Sequence, residues 1–314
     1  MISVRGATRA AVVAALVLLA AGAVQAIVIN TVPVGNPGNA ADTRYGSYGS
    51  VAYSYNIDKY EVTAGQYTAF LSAVAATDSY GLYNTGMWSG PYGCQIQQTG
   101  TSGSYSYSVA SAYANRPVNY VSFWDACRFS NWMNNGQQGA GSTEYGTYSL
   151  NGVTNPSNGS ITRNTGAKWA VTSEDEWYKA AYYDPNKAGG AGYWLYPTGS
   201  NSITTTMANY NMSVGHTTDE GSYAYASPYG TFDQGGNVWE WNEEIQSGSY
   251  RSWRGGSFGS LDAYHLQASP RPGNFPTSEF SDLGFRVSEV PEPATMSLLA
   301  LGGLALVARR RGRK

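Results

Sequence analysis

The residues best suited to chemistry run from Asp233 to Glu240, as Asp233-Gln234-Gly235-Gly236-Asn237-Val238-Trp239-Glu240. A carboxylate at each end brackets a glycine-rich turn. Such a loop can curl its carbonyls inward while both carboxylates close a cage. Calcium and other hard cations take this mixture of carboxylate and carbonyl oxygens. The alternative is a turn in which Asp233 and Glu240 cap backbone amides. Other constellations are poorer. Only His216 and His265 exist, so a histidine cluster cannot form. Ser, His and Asp all occur, but no Gly-x-Ser-x-Gly elbow sits on a strand-turn-helix. The paired acids Glu174-Asp175-Glu176 and Glu243-Glu244 read as a helix N-terminus and a solvated face, with no catalytic residue among them. Cys127 reads as a small buried residue and Cys94 as part of a Gly/Tyr loop; a bridge between them is permitted if the domain is exported.

The elements that must position these groups come from one chain of 314 residues, 42% apolar, 14% aromatic and 13% charged. That composition excludes a disordered coil, and two cysteines exclude a disulfide scaffold. The formal charge of -2 conceals an asymmetry. Arg5, Arg9, Arg309, Arg310, Arg311, Arg313 and Lys314 lie at the ends. The 12 basic residues left face all 21 acidic ones, so residues 27–308 carry -9. Nucleic acid is therefore excluded as a partner.

The ends read as addresses. Residues 1–26 form a signal peptide: Arg5 and Arg9, an apolar stretch from Ala10 to Ala23, then Val24-Gln25-Ala26 at the cleavage position. The run is shorter than the roughly 20 residues of a membrane span. At the other end, Pro291-Glu292-Pro293 precedes the apolar run Ala294–Ala308 and a basic tail. That run can just cross a bilayer if its flanks snorkel, with the basic cluster cytoplasmic. The tripartite tail, residues 290–314, resembles the PEP-CTERM sorting signal. The resemblance implies recognition by an exosortase, cleavage near Pro291-Glu292-Pro293, and delivery to the surface or extracellular matrix of a Gram-negative bacterium. A transient inner-membrane anchor would precede cleavage.

Between the ends, residues 27–289 show no long linker and no fixed-period repeat, so they read as one domain. Three segments predict helices. Thr63 caps the first, with Tyr67, Phe70, Leu71 and Val74 on one face. Ser122 caps the second, with Asp125 three residues on and Ala126, Phe129 and Met133 on one side. Ser173 caps the third, with Glu176 as its partner, Trp177, Ala180 and Ala181 inward, and Asp184-Pro185 at its end. Alternation over Ser50–Ile57 predicts a strand. The rest is Gly/Ser/Tyr-rich loop, so the expected class is α+β with little regular structure, plus an apolar helix at each end.

Six segments in order carry a resemblance: Tyr60-Glu61-Val62-Thr63, Arg116 to Ala126, Thr172 to Ala181, Gly235 to Trp241, Arg254-Gly255-Gly256-Ser257-Phe258 and Leu283-Gly284-Phe285-Arg286-Val287. Together they resemble the formylglycine-generating enzyme family, also called the sulfatase-modifying factor family. The resemblance implies a C-type-lectin-like fold. It maps calcium ligands onto the Asp233 side chain, the Gly236 and Val238 carbonyls and the Glu240 side chain. A second calcium would take Asn209, the Tyr210 carbonyl and Asp219, at a spacing that departs from the family pattern. Arg254 is a candidate buried ion-pair donor, and Arg286 another, directed at an acid of the third helix.

The family's oxidases use two cysteines, between the Gly-Gly-Ser and Gly-Phe-Arg motifs, to bind copper(I). Here the window Ser257–Leu283 has no cysteine. The matching positions fall on Ser260 and His265, near Ser257, and a hydroxyl does not replace a thiolate at copper(I). Copper is not expected; structural calcium is. The function read from this is an exported, surface-sorted binding module whose partner is a polysaccharide or a surface protein. The alternatives are an enzyme of the family with altered chemistry at Ser257, Ser260 or His265, and a structural matrix component.

Overall fold

The computed structural model describes residues 26–291. Residues 1–25 of the signal stretch, Glu292, Pro293, the run Ala294–Ala308 and both expected terminal helices lie outside the described residues. Within them the strands are β1 (Thr31–Val34), β2 (Tyr55–Asp58), β3 (Ile96–Thr99), β4 (Ser106–Val109), β5 (Trp169–Val171), β6 (Tyr183–Asp184), β7 (Gly192–Tyr193), β8 (Trp239–Ser247), β9 (Tyr250–Arg254), β10 (Gly273–Asn274), β11 (Leu283–Phe285) and β12 (Val287–Glu289). The α-helices are α1 (Ala64–Val74), α2 (Gly86–Ser89), α3 (Phe123–Asn134) and α4 (Glu174–Tyr182).

Helices α1, α3 and α4 begin at the three predicted caps. The Thr63 hydroxyl accepts from the Gln66 amide while the Gln66 side chain accepts from the Thr63 amide. Ser122 with Asp125 and Ser173 with Glu176 repeat that exchange. Each pair satisfies two amides that a helix start leaves without partners. Tyr67, Phe70, Leu71 and Val74 of α1 are buried, as their spacing predicts. Helix α3 is buried from Phe123 to Met133 rather than on one side alone. It lies between α1 and β5, so both flanks are covered. Helix α4 stops at Tyr182, ahead of the predicted Asp184-Pro185. Tyr183 and Asp184 pair instead with Tyr193 and Gly192 as the β6–β7 ribbon. Only Tyr55–Asp58 of the alternating run becomes a strand; the Asn39 side chain holds the stretch before it through the Gly49 carbonyl and the Val51 amide.

Two four-stranded sheets organise the domain, ordered β1-β2-β12-β5 and β10-β9-β8-β11. The first is antiparallel throughout, with Ser288 of β12 opposite both Ile57 and Ala170. In the second, β11 runs parallel to β8, placing Phe285 opposite Trp241, and β9 is antiparallel to β8 with Glu240 opposite Arg254. Arg286 alone separates β11 from β12, so the chain changes sheet at that residue. The main core gathers Phe70, Phe129, Trp132, Trp241 and Phe285 between the helices and the sheets. Phe129 meets Phe70 and Phe285 edge-on at 5.4 Å each, a favoured aromatic geometry.

Long loops are pinned by buried ion pairs. Arg254 is the buried donor its motif predicts: its Nε lies 2.7 Å from Glu174 Oε1, and Arg271 Nη2 lies 2.7 Å from Glu174 Oε2. Arg286 departs from expectation, pairing with Glu240 of β8 rather than an acid of α4. Glu243 is no solvated face either, since Arg163 holds it at 2.7 Å while also binding Glu176 at 2.8 Å. Cys94 and Cys127 are free and buried, so the permitted bridge is absent. Burial pushes the Cys94 thiol up to about 11, far from the thiolate form that binds metals.

Candidate functional site

The turn from Asp233 to Glu240 is left-handed at three residues: Asp233 at φ 60°, Gly236 at 87° and Asn237 at 61°. Asp and Asn tolerate this conformation, and Gly adopts it freely. Gly236 is required for a second reason: a Cβ there would fall 2.2 Å from the Asn209 carbonyl oxygen. That carbonyl accepts from the Asn237 amide at 2.8 Å, and the Asn209 side-chain amide donates to Asn237 Oδ1 at 3.2 Å. The fold thus brings Asn209 against the turn. Its Oδ1 is buried and has no hydrogen-bond partner.

The two carboxylates of the turn meet different fates. Both Glu240 oxygens are engaged by Arg286, through Nε at 2.5 Å and Nη2 at 2.7 Å, and the Trp177 indole donates to Oε2 at 2.7 Å. Asp233 Oδ2 accepts only the Gly221 amide, at 2.8 Å. Burial pushes its carboxyl up to about 6, against the opposing pull of that amide and of Arg286. Two further acids stand close by. Asp58 and Glu61 are 3% and 2% exposed; Asp58 Oδ2 and both Glu61 oxygens have no partner. Burial raises both carboxyls well above the usual range, and the Asp233 charge adds to the effect at Glu61. Asp233, in the same turn as the Gly236 and Val238 carbonyls, thus accepts from one amide, whereas both Glu240 oxygens are taken by Arg286 and Trp177. Among the described residues, no three His, Cys, Asp or Glu side chains converge as they would around a metal.

The residues of the second expected set meet separate partners. The Tyr210 carbonyl accepts from the Ser213 amide at 3.1 Å, and Asp219 is half-exposed, 3.6 Å from Arg116 Nε. The Asn209 side-chain amide donates to the His216 carbonyl at 2.9 Å.

The Ser257, Ser260 and His265 region follows β9. Ser257 Oγ donates to Asp282 Oδ2 at 2.8 Å, and Ser260 Oγ accepts from the Ser257 amide at 3.0 Å. The order Gly255-Gly256-Ser257-Phe258-Gly259 leads from the strand into loop rather than into an α-helix, so Ser257 is not a nucleophile elbow. His265 does not bond it. The imidazole meets the Trp239 ring edge-on at 5.8 Å, with Nδ1 3.4 Å from Asp262 Oδ1. Exposed Tyr264 meets the imidazole at 5.6 Å, and beyond Trp239 the rings continue through Trp253, at 6.3 Å, to exposed Phe280, 6.0 Å further.

The sulfatase-modifying factor enzyme 1-like domain model matches residues 8–290. The chain belongs to that family. A PEP-CTERM protein-sorting motif matches residues 289–311. This sulfatase-modifying-factor-like protein is therefore one recognised by the exosortase sorting machinery and exported to the Gram-negative cell envelope. Its fold is similar to that of Treponema denticola variable protein 1, with TM-score 0.57 at 18% identity over 85% of this chain and 97% of that one. It is similar also to CarF, with TM-score 0.54 at 21% identity over 84% and 99%. No curated protein matches the chain. The α+β class expected from the sequence is the observed one. No helix among the described residues is long and apolar enough to cross a membrane. The described chain leaves the domain at Pro291, on the lip of a cleft of about 480 Å³ that Lys168 and Glu289 also line.

Residue-by-residue reasoning passed over Glu61 and Asp282. Glu61 lies in Tyr60-Glu61-Val62-Thr63, where its acid between apolar neighbours was the available signal. Asp282 had none: its role rests on a serine 25 residues away.

Proposed function

We propose that the exported domain is a calcium-stabilised, C-type-lectin-like binding module that does not perform the family's copper oxidation. It would act at the cell surface or in the extracellular matrix, after a transient anchorage through Ala294–Ala308. One observation carries this reading. Where the family's copper pair belongs, the chain has Ser260 and His265, and Ser257, Ser260 and Asp282 are hydrogen-bonded among themselves. The neighbouring exposed aromatic rings support recognition, because they offer rigid contact area at small entropic cost. The ligand class is a polysaccharide or a surface protein. Calcium would take Asp233 and the Gly236 and Val238 carbonyls, tying the turn together without entering any reaction.

The test pairs a glycan and peptide binding screen with copper(I) titration and oxygen uptake in the presence of a cysteine peptide. A specific ligand without copper-dependent oxygen uptake supports the reading; stoichiometric copper(I) with oxygen consumption overturns it. One observation favours altered catalysis instead: His265 Nδ1 has no hydrogen-bond partner. That reading requires His265→Ala to abolish an activity while the fold persists. Self-association with no ligand at all would mark a structural matrix component.

A further inference from the structure

We infer, resting on the sorting reading above, that the cleft beside Pro291 is the surface on which the sorting peptidase seats, so that the folded domain and not the tail alone is its substrate. The cleft holds about 480 Å³. Its walls come from β1, from Ser54 and Asn56 around the start of β2, and from Lys168 and Glu289. Pro291, the first residue of Pro291-Glu292-Pro293, lines it as well.

The chain reaches this cleft without a linker. Strand β12 is an inner strand, paired with β2 on one edge and β5 on the other. The hold continues past it: the Val290 amide donates to the Lys168 carbonyl at 2.8 Å, and Val290 is buried. The Glu289 carboxylate accepts from the Asn56 side-chain amide at 3.0 Å and lies 3.5 Å from the Lys168 ammonium. Proline has no amide hydrogen, so ladder pairing stops at Pro291. The residue before a proline favours an extended backbone, so the exit direction is set as well.

An extended segment is commonly bound through main-chain hydrogen bonds along a free edge. Upstream of Pro291 both edges of β12 are already paired. Withdrawing β12 would break two ladders and expose Val287 and Val290 to water. The enzyme must therefore grip Pro291-Glu292-Pro293 while its own surface rests against the residues beside the exit, and those are the cleft walls. Downstream the reach is equally short. The apolar run begins at Ala294, at most about 11 Å of extended chain from Pro291. A partner held between the domain and that run has the cleft within reach.

The test uses the full chain in a Gram-negative host beside that host's exosortase, with loss of the tail followed by pulse-chase and product mass. The variants are Ser54→Trp, which fills the cleft, and Lys168→Glu, which reverses its cation; both positions are exposed. Each is made with and without an insert of about ten Gly and Ser residues between Val290 and Pro291, which carries the motif up to about 34 Å from the domain. Without the insert, both variants are expected to slow processing about tenfold or more. With it, both should run at the rate of the insert alone. Native-rate processing of Ser54→Trp without the insert overturns the inference, and slowing by Lys168→Glu alone would assign the cleft to an anionic membrane surface instead. Slowing that persists with the insert also overturns it, because the substitution then acts before docking. If the native chain is never processed, the sorting reading itself falls, and the cleft with it. Should Ser54→Trp fail to fold, Ser54→Gln fills the same wall with less bulk and is read by the same rates.

Discussion

Arg286 and Glu240 face each other across the seam between the two sheets, with Nε 2.5 Å from Oε2, Nη2 2.7 Å from Oε1, and both side chains fully buried. A planar guanidinium meeting a carboxylate in this two-pronged way is the strong form of an ion pair. The same guanidinium donates to the Asp58 carbonyl of β2, and the same carboxylate accepts from Trp177 of α4. One pair therefore joins β8, β2, α4 and the crossing from β11 to β12.

Removing one partner strands the other. Arg286→Met is expected to cost about 3–5 kcal/mol, because it leaves Glu240 buried without a counter-charge. Urea denaturation measures this directly. Adding Glu240→Leu to the Arg286→Met chain should recover much of the loss. A single variant within 1 kcal/mol of the native protein would contradict the arrangement.

The pH dependence has a defined sign at Glu176. Burial alone would raise its carboxyl, but Arg163 at 2.8 Å, the Tyr53 hydroxyl and the Ser173 amide hold it below the ordinary value of 4.5. A carboxyl depressed on folding stabilises fully above its unfolded value, and that contribution disappears as pH falls through the folded one. The Glu176 contribution to the urea midpoint should therefore be lost between pH 7 and pH 3. Arg163→Met should differ from the native chain most at pH 7 and least at pH 3.

Gly236 tolerates no side chain. Its φ of 87° is unfavourable for alanine, and the added Cβ would sit 2.2 Å from the Asn209 carbonyl oxygen. Gly236→Ala is expected to lose more than about 2 kcal/mol, strain and displacement of Asn209 acting together. A thermal scan reads this as a fall of several degrees; an unchanged midpoint would mean that the turn opens freely.

The thiols give a chemical readout of the core. Cys94 and Cys127 are fully buried and unbridged, and burial raises both thiols above their ordinary value. The native chain should resist iodoacetamide at pH 8, whereas the unfolded, non-reduced chain should take up two alkyl groups by mass. Only a bridge would leave the unfolded chain unlabelled.

What the sequence determined by itself is what depends on neighbours along the chain or on residue identity alone. The caps at Thr63, Ser122 and Ser173 were legible because each is an exchange between residues three apart. The sorting segment and the missing cysteines of the 257–283 window are matters of which residue stands where. Pairing through space was not legible. Arg286 takes Glu240 from 46 positions away, and Arg254 takes Glu174 from 80. Only the crossing of the two sheets decides that Arg286 reaches β8 and not α4. The same crossing leaves Glu61 without a partner, although its residue type was plain from the start. The physical reason is that a buried charge is assigned by proximity in a medium where water cannot answer it. That proximity is a property of the packed chain, not of the spacing along it.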